Sequence, residues 1–129
     1  MTFSSGVKTG IKMEFIDLSG KRVFRASVRG YRPAELDLIL EAAGKLIRNE
    51  PPGSVLCLTE VNDLTPVITN KHKFADYLKM NKPYIKASAI FGVPSLLVSI
   101  LNAIDHFAGR GDIMIFKYEE EAVKWLTSI

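Results

Sequence analysis

Residues 111–126, GDIMIFKYEEEAVKWL, carry the reading that decides the fold of this chain. Ile113 to Tyr118 is an apolar run rich in β-branched and aromatic side chains, as strands are. The next residues follow a helical period. Ala122, Val123, Trp125 and Leu126 fall on one side, and Glu119, Glu120, Glu121 and Lys124 on the other. A strand leading into a short amphipathic helix is a β-α unit that docks on an α/β sheet. The Trp125 ring is expected to be buried under the sheet edge as the anchor of that helix.

Upstream, the same alternation repeats. Ile11 to Leu18 and Val23 to Tyr31 read as two strands of an antiparallel hairpin across Ser19-Gly20, since glycine accepts positive φ. In the second strand Phe24, Ala26 and Val28 share one face, and Arg25, Ser27 and Arg29 the other. Pro33 opens a helix in which Leu36, Ile39, Leu40, Ala43 and Ile47 recur at helical spacing, and Pro51-Pro52-Gly53 stops it. Ser54 to Val61 contains the unbroken apolar run Val55-Leu56-Cys57-Leu58, which predicts a central parallel strand buried on both faces. A helix from Thr69 to Met80 follows, then a strand from Tyr84 to Val93. Pro94 and Ser95 open a third helix with the stripe Leu97, Ile100, Leu101, Ile104 and Phe107, ended by Gly109-Arg110-Gly111. The order is β-β-α-β-α-β-α-β-α. It predicts one α/β domain over residues 1–129, with a mixed, mostly parallel five-stranded sheet and helices on both faces.

Composition agrees with a soluble globular domain: 129 residues, 47% apolar and 24% charged. Cys57 is the only cysteine, so no internal disulfide can form, which suits a reducing cytoplasm. The opening MTFSSGVKTG has no signal-peptide core, and the apolar stretch Ile90 to Ile104 is interrupted and too short to span a bilayer. Net charge is only +3, but residues 65–92 hold five lysines and one aspartate. Lys71, Lys73, Lys79 and Lys82 are therefore candidates to face an anion, whether an acidic protein surface or a lipid headgroup. Nucleic acid is disfavoured, because the cluster lacks arginine and Gly-aromatic motifs.

VLCLTEVNDL at residues 55–64 resembles the third strand of STAS domains, the SpoIIAA-like group of anti-sigma-factor antagonists. YEEEAVKWL at residues 118–126 resembles their ending, where an aromatic closes the last strand and the helix reads E-E-A-x-x-W-L. The element order is similar along nearly the whole chain. The resemblance implies the STAS fold and a bacterial regulatory module. It departs at the regulatory segment. The family's D-S-x-G motif, whose serine is phosphorylated, is replaced by Asp63-Leu64-Thr65-Pro66-Val67-Ile68-Thr69. With serine and glycine both missing, the chain is similar to the divergent SpoIIAA-like proteins, whose fold also resembles the CRAL-TRIO lipid carriers.

On open α/β sheets, ligands gather beyond the carboxyl ends of the strands. That rim would draw on Glu60, Asn62, Asp63, Thr65 and Thr69 after the third strand. Gly92, Pro94 and Ser95 follow the fourth, and Lys117 and Tyr118 end the fifth. Glu60 and Asp63 could form an acid/base pair, though turn-forming and capping are the plainer roles. His72 and Asp76 share a helix face, but no further metal ligand is suitably spaced. Ser95 lacks a nucleophile elbow and reads as a helix cap. The unusually apolar helix marks Leu97, Ile100, Leu101 and Ile104 as a pocket or interface. If they line a ligand pocket, a cavity of about 300 Å³ or more should lie beside them. If not, that space should be filled, and apolar residues should be exposed near the starts of the second and third helices.

The resulting expectation is a cytoplasmic, non-enzymatic STAS-like module that binds a protein partner and needs no cofactor. The alternative is a carrier or sensor of a small apolar ligand or lipid. An enzyme using the Glu60–Asp63 loop is the weaker alternative, and a homodimer remains open.

Overall fold

The computed structural model describes residues 12–28, 35–61 and 65–129. Strands β1 (Lys12–Leu18) and β2 (Lys21–Val28) pair antiparallel, from Lys12 against Ser27 to Leu18 against Lys21. Ser19 and Gly20 join them with φ of 51° and 79°. Two positive-φ residues make the type I′ loop whose twist matches that of paired strands. Helix α1 (Leu36–Arg48) leads to β3 (Val55–Val61), which lies parallel to β2 and to β4 (Ile85–Phe91). Helix α4 (Val98–Ala108) connects β4 to the parallel edge strand β5 (Ile113–Phe116), and α5 (Glu119–Thr127) follows. Tyr31 and Pro33 lie outside the described residues, as does Ile11.

The sheet runs in sequence order, β1-β2-β3-β4-β5. Every parallel crossover therefore steps the same way. Right-handed crossovers that step one way deposit their helices on one face. Helices α1, α3 (Lys71–Asn81) and α4 accordingly share a face, and α5 alone covers the other.

Strand alternation divides the core. Val55, Cys57 and Val61 of β3 point toward the three-helix face, while Leu56 and Leu58 point toward α5. In β4, Ile85 faces α1 but Ala87 faces α5, although they are two positions apart and would share a face in a regular strand. A bulge opposite Val55 and Leu56, which pair with Ile85 and Ala87, resets the alternation. Ala87 and Ala89 keep the surface of β4 low enough for Ala122 and Leu126 to be fully buried on it. Trp125, by contrast, is only half-buried. Its ring lies 5.7 Å from that of Phe116, beside the core rather than within it. The anchors of α5 are Leu126 and Ala122, which corrects the role predicted for Trp125.

The helix predicted from Thr69 to Met80 is observed as α3, and a short helix that the sequence did not predict precedes it. Helix α2 (Thr65–Thr69) ends at Asn70, whose φ of −126° and ψ of 37° break the helical path before α3 begins. Asn70 donates from Nδ2 to Thr69 Oγ1 at 3.1 Å, the local side-chain bonding by which asparagine competes with helix. A 3-10 turn (Ser95–Leu97) precedes α4, and neither carries a side-chain cap hydrogen bond, so Ser95 is not the cap predicted for it. Helix α4 ends as expected at Gly109, with φ of 68° and the Arg110 N–H donating to Asp105 O at 3.2 Å. Among the described residues, no helix is long and apolar enough to cross a membrane.

Candidate functional site

The carboxyl-end rim is spread along the sheet edge. Glu60 is half-buried and accepts a 2.6 Å hydrogen bond from Ser27 Oγ on the neighbouring strand. Gly92, with φ of 87°, turns the exposed chain after β4 toward Pro94 and Ser95. Lys117 and Tyr118 are exposed past β5, the ammonium 5.5 Å from the Tyr118 ring centroid. Strands β3 and β5 are separated by β4, so their backbones run about 10 Å apart. Asn62 and Asp63 lie outside the described residues. Thr65 opens α2, and Thr69 is exposed at its end.

The lysines do not converge either. Lys71 stands on the α4 side of α3. Lys73 pairs with Asp37 of α1 at 2.9 Å on the opposite side. Lys82 donates to the carbonyl of Gly109 at the end of α4, and Lys79 is exposed on α3.

The third-helix stripe shows a more pronounced feature. Leu101 and Ile104 are buried, while Leu97 and Ile100 are half-buried. Beside Ile100 and Ile104 runs a groove of about 560 Å³ between α2–α3 and α4. It is open along one side, so it is neither the filled core nor a closed pocket. Small side chains cause it. Ala75 of α3 faces Ser99 and Ala103 of α4, and their short reach leaves the helices unfilled above the core. Lys71 and His72 form the α3 wall. Apolar surface continues outward at Ile68, 40% exposed, and at Leu96 on the 3-10 turn, 91% exposed.

At the other end of the sheet lies a buried polar network. Arg110, 7% exposed, grips Asp112 with two bonds, from Nε at 2.6 Å and Nη2 at 3.1 Å. Its Nη2 also donates to Ser88 Oγ at 2.8 Å, and its Nη1 to Leu78 O at 3.3 Å. Nearby, Arg48 Nη1 donates to Asn81 Oδ1 at 2.8 Å. Gly44 makes room for that contact, since a Cβ there would lie 2.5 Å from Arg48 Nη1. Burial pushes the Cys57 thiol up to about 12, with Arg110 and a hydrogen bond with Ser88 partly opposing the shift. The Tyr77 phenol is raised as well, again chiefly by burial. Both groups are therefore held neutral.

The raised thiol makes stability depend on pH. Folded Cys57 keeps its proton where the unfolded chain loses it. The stabilisation is present below pH 9.0 and is lost as pH climbs toward about 12. Urea midpoints of wild type minus Cys57→Ala should therefore decline across that window, by up to about 1.4 kcal/mol per pH unit. A flat difference would mean that the thiol is solvated.

The sequence did not expose this network. Arg110 sits between Gly109 and Gly111, with φ of 68° and 73°, and reads as part of a helix stop. The detectable sign is Arg-x-Asp between two such turns, a spacing at which the guanidinium fork can fold back on a carboxylate. Among the described residues, no group of three or more His, Cys, Asp or Glu side chains could hold a metal ion. Comparison with protein-family models, with curated proteins and with solved structures finds no match to this chain.

Proposed function

We propose that this chain is a non-enzymatic, STAS-like regulatory module that binds an apolar, acidic-flanked segment of a partner protein in the groove between α3 and α4. The groove itself carries the reading. An apolar floor about 560 Å³ in extent, open along one side, suits a side-chain ridge from another chain. Lys71 on its wall favours carboxylates beside that ridge. Ile68 and Leu96 are exposed just before α3 and α4, where a partner-binding module was predicted to expose apolar surface. The loss of the D-S-x-G motif fits a module that works without the phosphoserine switch.

Ala103→Arg tests this directly. Ala103 is exposed and helical, so arginine is tolerated by the fold but fills the groove. Leu38→Arg is the control, because Leu38 is also apolar and 62% exposed but lies on α1. A partner captured from the cells of origin and then purified should bind wild type and Leu38→Arg alike. It should bind Ala103→Arg at least about tenfold more weakly. Equal binding by Ala103→Arg would contradict the proposal.

A further inference from the structure

The three-helix face encloses a second space, separate from the groove's mouth. A cavity of about 140 Å³ lies between the sheet and helices α1, α3 and α4. Its walls are overwhelmingly apolar, with Phe24, Leu36, Ile39, Phe74 and Ile104 among them. Dry apolar cavities of about 150 Å³ accept a molecule the size of benzene.

Thr59, Ser88, Arg110 and Asn81 add polar groups to the wall, and among the described residues only Asn81 has a buried side-chain atom without a hydrogen-bond partner. Asn81 lines the cavity and is 1% exposed. Its Oδ1 is fixed by the Arg48 guanidinium, a group that can only donate, so the orientation of the amide is determined. Its Nδ2 therefore faces away from Arg48, and it has no hydrogen-bond partner among the described residues. A buried donor left unpaired costs about 1–3 kcal/mol, and an acceptor brought to it recovers that cost.

We propose that this cavity is a binding site for a small neutral molecule, one ring in size, with a single carbonyl or ether oxygen that accepts from Asn81 Nδ2. Size sets the ring and the unpaired donor sets the acceptor. Neutrality follows from the surroundings. Arg110 is already paired with Asp112, and Arg48 does not line the cavity, so among the described lining residues no unpaired cation is left for a ligand carboxylate. The raised Cys57 and Tyr77 show that the interior disfavours negative charge. The site is independent of the groove reading, because its polar contact lies at the far end of α3.

Two isosteres separate the terms. Cyclohexanone and methylenecyclohexane have the same shape, but only the ketone has an acceptor. In titrations followed by amide and methyl NMR, both should shift resonances of Leu36, Ile39 and Ile104. The ketone should bind about tenfold more tightly, the value of one buried hydrogen bond. Asn81→Asp retains a partner for Arg48 and removes the donor, so it should bring the ketone down to the hydrocarbon's affinity. Ala43→Leu, which fills the cavity from α1, should abolish both. Equal affinity of the isosteres for wild type overturns the proposal. So does the absence of binding by either, or a crystal soaked in the ketone that shows only a water at Nδ2.

Discussion

Replacing Arg110 by alanine is expected to destabilise the fold by about 3–4 kcal/mol. The reason lies in what is left behind. Asp112, with its side chain 25% exposed, loses both bonds that balance its charge. Ser88, buried in the sheet, loses its donor, and so does the carbonyl of Leu78. Removing one member of a buried pair costs about 3–5 kcal/mol, and the partial exposure of Asp112 brings the figure toward the lower end. Arg110→Lys should recover little, because an ammonium is a single point charge and cannot span both oxygens of Asp112 and also reach Ser88. Urea unfolding of the three proteins measures this. A loss below about 1 kcal/mol for Arg110→Ala would mean that the network is solvated and contributes nothing to the closure of this end of the sheet.

Leu126→Ala should cost about 3 kcal/mol, more than Trp125→Ala despite the smaller side chain removed. Leu126 is fully buried against the low alanine surface of β4, so its loss opens a cavity that the rigid sheet cannot close. Trp125 retains solvent on one side, and its main contact is the tilted ring of Phe116. Its truncation should cost about 1–2 kcal/mol, the share of its transfer free energy that half-burial realises. The reverse order would place the anchor of α5 on its aromatic flank. Ion pairing contributes less to this helix. Arg25 of β2 meets Glu119 in its first turn, but both side chains are substantially exposed, and such pairs are worth less than about 1 kcal/mol.

These residues show which parts of the molecule were legible before the structure. The hairpin at Ser19-Gly20 was legible because backbone conformation there depends on two residues. The central place of β3 was legible because burial on both faces writes an unbroken apolar run into Val55–Leu58. The ending of α4 was readable from Gly109 for the same local reason. Helix α2, ahead of the predicted helix, is only five residues long, too short for a helical period to show in the sequence. What else escaped depends on neighbours far along the chain. The bulge that turns Ile85 and Ala87 to opposite faces exists only in the pairing of β4 with β3. Periodicity located the face of α5, but not the finer division by which Leu126 is buried and Trp125 is not.

The site divides along the same line. Ile100 and Ile104 stood out because their helix is more apolar than one buried face needs, and the groove lies beside them. Its opening comes from Ala75 facing Ser99 and Ala103, a coincidence of small residues on helices that sequence cannot place side by side. Asn81 and Arg110 carry no local sign of burial. One ends an ordinary amphipathic helix and the other sits between glycines, and only the tertiary fold turns both inward.

The claim that the α3–α4 groove is the binding surface is tested most directly by hydrogen exchange on the protein with and without its captured partner. Partner binding is expected to slow amide exchange in residues 68–76 and 99–104, leaving β5 and α5 unchanged. Slowing confined to β5 and α5, with exchange at residues 68–76 and 99–104 unaltered, would contradict it.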